Sequence, residues 1–233
     1  MWPLTFVINL SLTQGKFSDP LKTVKFIPIH KSDNKLSITN YRPISILTFF
    51  SKIFERLMYH RLLDYLNKND ILCHNQYCFR ENHSTYMALL NMIDDISNKL
   101  NNNNDWKEVF IDLSKAFDTI DHSLLLKKLE HYGIRGTALS WFTSYLTKRS
   151  QYVSTSGNNS SCLQIKCGVP QGSILGLLLF IVYINDIINC SKAAIFIMFA
   201  DDTNLFFKHN NLKTLYEHVN IELQKNISLV YAK

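Results

Sequence analysis

Two hydrophobic rhythms alternate along the chain, one of helical period and one of strand length. Residues 2–14 (WPLTFVINLSLTQ) read as a helix, and KTVKFIPIH (Lys22–His30) alternates with period two as a half-buried strand does. KSDNKLSITNYRP (Lys31–Pro43) is rich in turn formers. From Ile44 to Leu66, apolar residues recur at helical spacing through Ile46, Leu47, Phe50, Ile53, Phe54, Leu57, Leu62 and Leu66, and the pattern breaks near Asn67–Asp70. A second long helix is expected from Ser84 to about Leu100. The polar run NKLNNNND (Asn98–Asp105) then offers a junction between two lobes.

Beyond that junction the pattern shortens. WKEVFIDL (Trp106–Leu113) reads as a strand. Asp121–Gly136 reads as a capped helix, with Asp121 as N-cap, Leu124, Leu125 and Leu129 facing inward and Gly133 as the stop. Leu139–Arg149 is a further helix, Ser150–Val169 a hairpin about Gly157-Asn158, and Ile174–Ile188 a helix. AAIFIMFADDTNLFFKH closes as two strands about Asp201-Asp202, and the tail from Lys213 is helical. Strands and helices segregate around an antiparallel hairpin, which predicts an α+β fold.

Composition narrows the picture. The 233 residues are 46% hydrophobic, enough for a sizeable core. Residues 16–80 hold 11 Lys/Arg against 5 Asp/Glu, so the whole net charge of +6 lies in the first third of the chain. A basic lobe ahead of a neutral one suits a polyanion, and binding of that kind weakens with salt. Cys73/Cys78 and Cys162/Cys167 are spaced too widely for a zinc knuckle, and an odd total of five reads as reduced thiols. The most apolar run, Ile174–Ile184, is 11 residues long, against the ~20 needed to span a bilayer. The apolar start lacks a basic leader and a cleavage site, so it reads as a core-packing helix. The expectation is an intracellular protein, nuclear or cytoplasmic, neither secreted nor membrane-bound.

The candidate chemistry lies in the aspartates. Asp201-Asp202 places two like charges between apolar strands, and the bend has no glycine, unlike common hairpin turns. Asp112 ends another apolar strand, and Asp118 and Asp121 follow it. On the residues alone, turn and cap roles are the more ordinary explanation. The other reading is a hard-oxygen site for Mg²⁺. Two ions ~3.5–4 Å apart would hold the attacking 3′-hydroxyl and the leaving pyrophosphate of a phosphoryl transfer. There is no Walker loop or dinucleotide glycine pattern to bind phosphate otherwise.

Three long segments decide between these readings. VFIDLSKAFDTIDHSLLLKKLEHYGIRG (Val109–Gly136), GVPQGSILGLLLFIVYINDI (Gly168–Ile187) and FADDTNLF (Phe199–Phe206) resemble the palm motifs of non-LTR retrotransposon reverse transcriptases of the jockey-like kind. Ile27–Leu62 and NQYCFRENHSTYMALL (Asn75–Leu90) resemble the finger motifs of that family, in the same order. The resemblance implies a right-hand polymerase fold with fingers at 1–105 and palm at 106–233. It implies RNA-directed DNA polymerase activity, with an RNA template, a DNA primer, dNTPs and two Mg²⁺ or Mn²⁺ ions. Asp112, Asp201 and Asp202 would be the catalytic carboxylates and metal ligands. Phe117 would be a steric gate against the 2′-hydroxyl. Arg42 and Arg80 would meet the triphosphate, Gln171 would lie near the template base, and Gly172 would let backbone approach the nucleic acid.

The chain also departs from the pattern. Cys78 stands where the family has glycine, and would be strained if that position needs a positive φ. Leu177 replaces a proline. The sequence ends at Lys233, before the lysine-bearing palm segment and thumb that the resemblance leads one to expect. It therefore reads as a C-terminally truncated fragment, and the competing expectation is a catalytically silent nucleic-acid-binding remnant. A group II intron maturase or an RNA-templated RNA polymerase fits less well, because Phe117 disfavours ribonucleotides.

Overall fold

The two rhythms become helices and strands in a computed structural model that describes residues 2–231 except 79, 81–82, 102–104, 113–115, 156, 193 and 210. In chain order the elements are α1 (Trp2–Gln14), β1 (Thr23–His30), β2 (Tyr41–Ile46), α2 (Phe49–Lys68), α3 (Thr85–Asn101) and β3 (Asp105–Asp112). Then come α4 (His122–His131), α5 (Gly136–Leu146), β4 (Ser150–Thr155), β5 (Asn158–Asn159), β6 (Leu163–Gln164) and α6 (Ile174–Ile184). The chain closes with β7 (Ala194–Phe199), β8 (Asp202–His209) and α7 (Leu212–Tyr231). It divides into two compact units, Met1–Ile71 with Lys115–Tyr183 and Leu72–Ser114 with Ile184–Lys233.

The first unit is built on helices. Leu175, Leu178, Leu179, Phe180, Ile181 and Val182 are all buried, so α6 is a core helix covered on every side. Trp141 and Tyr145 of α5 stack at 5.5 Å, and Phe17 meets both rings edge-on. The sheet of this unit runs β2-β1-β4-β5, with β6 also on β4; β1 and β4 are parallel and the other pairs antiparallel.

Several expectations are corrected here. Ile44–Ile46 belongs to the edge strand β2, and the helix begins only at Phe49. Helix α1 packs on the core by one face: among its described side chains Leu4, Ile8, Ser11 and Leu12 turn inward, Ser11 accepting from Trp141 Nε1, while Phe6, Val7 and Leu10 are exposed. Leu124 is exposed, while Leu125 and Leu129 are fully buried. Helix α6 stops at Ile184, and a 3-10 turn occupies Ile187–Cys190. The expected cap of α4 is present, with Asp121 Oδ1 accepting the Leu124 N–H at 2.9 Å. Among the described residues no helix is long and apolar enough to cross a membrane. The lobe junction expected at 98–105 falls partly on residues 102–104, outside the described ones.

The second unit is an antiparallel sheet, β3-β8-β7, between two helices. Period-two alternation sorts its residues. Phe196, Leu205 and Phe207 pack with Leu215 and Val219 of α7, joined by Val109 and Ile111. Ile197 and Phe206 pack on the opposite face against Ala88, Met92 and Ile96 of α3.

Candidate functional site

The acidic residues meet at one end of the β3-β8-β7 sheet. The register sets Asp112 directly opposite Asp202, and Asp202 opposite Phe199. Asp201 forms the bend between β7 and β8, with Ala200 just before it. Opposed positions of an antiparallel ladder share a face. The face that holds position 202 also holds Phe110, Asn204, Ile197 and Phe206. Helix α3 seals it at Ile197 and Phe206. Towards the bend it lies open, with Asp202 exposed and Phe110 68% exposed. The opposite face is closed at the same level, since Thr203 is fully buried.

Among the described residues no lysine or arginine forms an ion pair with Asp201 or Asp202. Nor do three or more His, Cys, Asp or Glu side chains gather into a metal cluster among them; the Asp112 side chain lies outside the described set. The donors offered are carboxylate oxygens, which suit hard divalent cations.

The bend has an unusual backbone. Ala200 sits in the left-handed region at φ 57°, where residues with a Cβ are disfavoured. Sequence reasoning passed over the residue beside it, Gln76, which is 1% exposed. Its Oε1 accepts the Ala200 N–H at 3.1 Å and the Cys78 N–H at 3.0 Å, and its Nε2 donates to the Ala200 carbonyl at 3.4 Å. The backbone around it bonds β7, Tyr77 N–H to the Met198 carbonyl and Met198 N–H to the Asn75 carbonyl, both at 2.9 Å. Cys78 is buried and is not among the described residues with positive φ, so the strain expected there does not arise. Arg80 is partly buried, and its Nη1 donates to the Cys73 carbonyl at 2.7 Å.

The first unit carries the remaining candidates. Phe117 is partly buried, its ring centroid 4.6 Å from that of Phe180. Two backbone bonds of 2.8 Å, Gly168 N–H to the Ile120 carbonyl and Val169 N–H to the Phe117 carbonyl, tie its turn to the 168–173 loop. Gln171 Nε2 lies 3.3 and 3.4 Å from the Asp118 carboxylate oxygens. Its carbonyl accepts the Ser45 N–H at 2.8 Å. Gly172 has φ +109°, and a Cβ there would lie 2.8 Å from the Ser45 carbonyl oxygen. The close approach that this glycine allows is thus to strand β2. Arg42 is exposed on β2.

Below the loop lies a second residue that the sequence did not single out. Glu55 of α2 is fully buried. Its Oε1 accepts the Tyr145 hydroxyl at 2.9 Å, and its Oε2 accepts the Ser173 hydroxyl and the Ile174 N–H, both at 3.0 Å. Burial pushes its carboxyl above the ordinary range, against the lowering effect of these hydrogen bonds. Ser173 Oγ in turn accepts the Gly176 N–H at 2.9 Å and so caps α6.

Comparison with known proteins adds to this geometry. The family described as "Reverse transcriptase (RNA-dependent DNA polymerase)" matches residues 29–229. The chain is 32% identical over 222 residues to the probable RNA-directed DNA polymerase from transposon BS of Drosophila melanogaster, covering 89% of this chain and 24% of that protein. It is 30% identical over 217 residues to the RNA-directed DNA polymerase from mobile element jockey of the same species, covering 90% and 24%. It therefore spans about a quarter of the length of the curated relatives it matches. Among solved structures, telomerase from Candida albicans with a fragment of telomeric RNA superposes with TM-score 0.64 at 16% identity, covering 91% of this chain and 41% of that one. Apo telomerase from Candida tropicalis gives 0.62 at 13% identity, covering 94% and 43%. At such identities the likeness concerns the fold alone, and it is the right-hand polymerase fold.

Proposed function

We propose, from the premise that the chain belongs to the reverse transcriptase (RNA-dependent DNA polymerase) family, that it extends a DNA primer on an RNA template by adding dNTPs. The observation that carries this reading is the register of the second sheet. Asp112 opposes Asp202 and Asp201 adjoins them, at an open sheet end where no basic side chain among the described residues ion-pairs with Asp201 or Asp202. Two adjacent carboxylates in such a place favour divalent cations.

Asp112, Asp201 and Asp202 would hold two Mg²⁺ ions. When bound, these would activate the primer 3′-hydroxyl and offset charge on the leaving pyrophosphate. The protein supplies position. The β3-β8 ladder fixes positions 112 and 202 against each other, and the buried strands behind them keep the oxygens in place before the ions arrive. Phe117, backed by Phe180, would stand against a 2′-hydroxyl and so prefer dNTPs. Gln171, tethered to Asp118, would serve the nascent base pair, with Gly172 beside it. Arg42 and Arg80 would pair phosphate oxygens, as the guanidinium fork allows. Fingers at 1–105, palm at 106–233 and an intracellular site of action belong to the same proposal.

Primer extension on an RNA template with dNTPs and Mg²⁺, beside an Asp201→Ala/Asp202→Ala control, tests it. Extension that disappears in the control is the expected result. A folded chain that binds the hybrid but never extends the primer would sink the polymerase reading and leave a nucleic-acid-binding remnant.

A further inference from the structure

We propose that Gln76 is a positioning residue for the aspartate turn, acting through the backbone of Ala200; this rests on the reading of Asp201 and Asp202 as metal ligands. The geometry is that of a missing ladder rung. Strand β7 ends at Phe199, and Ala200 is 8% exposed, so its N–H and C=O sit at a buried strand end beyond the ladder. Buried peptide groups need partners. A carboxamide carries the same donor and acceptor as a peptide unit, and Gln76 presents both, its Oε1 to the Ala200 N–H and its Nε2 to the Ala200 carbonyl.

The clamp also has something to oppose. Ala200 is held at φ 57°, a conformation that disfavours any Cβ. Left alone, the residue would relax toward negative φ and turn the next peptide, which carries Asp201. Gln76 is itself fixed. Its Oε1 takes the Cys78 N–H, its backbone makes a parallel bridge to Met198, and the neighbouring Asn75 side chain donates to the Phe196 carbonyl at 2.7 Å. The segment 75–78 is thus bolted along β7, and its one buried amide reaches past the strand end to the turn. A glutamine that served only as filler would not need both of its polar ends on the same residue.

The test is Mn²⁺ binding to the full chain, followed by electron paramagnetic resonance, with hydrogen exchange of the Ala200, Asp201 and Asp202 amides measured alongside. Gln76→Met keeps the length and removes the clamp. It is expected to weaken Mn²⁺ binding at least tenfold and to speed exchange at those amides. Ala200→Gly, which removes the Cβ penalty, should bring the double variant back to within about threefold of the unaltered chain. Leu215→Ala, a core truncation on α7, should lower the melting temperature and leave Mn²⁺ affinity unchanged when measured well below it. Mn²⁺ affinity within twofold in Gln76→Met, or no recovery in the double variant, overturns the proposal. If the unaltered chain binds no Mn²⁺, the metal-site reading fails. The clamp is then decided by exchange alone, and unchanged exchange at 200–202 in Gln76→Met overturns it.

Discussion

Replacing Gly168 by alanine should damage the first unit far more than the addition of one methyl group would suggest. Gly168 has φ +84°, where any Cβ is disfavoured by about 1–2 kcal/mol. The new Cβ would also lie 2.7, 2.8 and 2.9 Å from the O, Cα and C of Asp118, all backbone atoms that no rotamer change can move aside. Relief requires the 117–120 turn to withdraw. That lengthens the bonds from Gly168 N–H to the Ile120 carbonyl and from Val169 N–H to the Phe117 carbonyl, worth about 1 kcal/mol each. The total is roughly 3–4 kcal/mol, or about 6–16 °C in melting temperature for a chain of this size. Gly157 supplies the control. Its φ is +82°, but a Cβ there meets nothing within 4 Å, so Gly157→Ala should cost only the conformational penalty of about 1–2 kcal/mol. Trp141 is buried in the same unit and can report unfolding alone once Trp2 and Trp106 are replaced by phenylalanine. If Gly168→Ala costs no more than Gly157→Ala, the contact with Asp118 does not hold the loop and the argument fails.

Two further outcomes follow from the buried groups. The folded chain holds the Glu55 proton more tightly than the unfolded one, so stability should fall as pH rises from the ordinary value of 4.5 through the raised one. Glu55→Gln should remove that slope, and a difference in urea midpoint that does not vary with pH would contradict the assignment. Phe117→Ala should reduce the preference for dNTPs over rNTPs by at least about tenfold, a change of about 1.4 kcal/mol, in single-nucleotide incorporation; unchanged preference would remove Phe117 from the gate.

What the sequence made legible follows from where one face of an element decides its pattern. Strands β7 and β8 alternate between two buried faces, and the Asp201-Asp202 bend was readable because charge interrupts that apolar run. Strand β2 was not readable. Its Ile44 and Ile46 fall in phase with the helix that follows, and Pro43 speaks against a strand. The structure tolerates Pro43 because β2 is an edge and because it stands opposite Pro28, so both prolines share one rung of the ladder. Helix α1 is apolar nearly all round, so periodicity could not choose its inner face. Gln76 and Glu55 were silent for a different reason. Each acts on residues more than 100 positions away, and a single polar residue inside a motif carries no sign of its distant partner.

Gln76 bears on why acids are tolerated at the turn at all. A like-charged pair gains from being mobile, because mobility lets the charges part and reach water. Here the opposite holds. Asp202 is locked in a ladder with Thr203 buried behind it, and Ala200, just before Asp201, has both its backbone N–H and its carbonyl bonded to Gln76. Rigidity of that kind raises the energy of the empty site and lowers the reorganisation needed when a cation arrives. Turn and cap roles would require none of it, since an aspartate at an ordinary bend is satisfied by local N–H groups, as Asp121 is by Leu124. The contrast between Asp121, which is bonded by its own helix, and Asp201-Asp202, which are held in place yet offered no side-chain cation among the described residues, is the physical ground for reading the first as a cap and the second as a ligand pair.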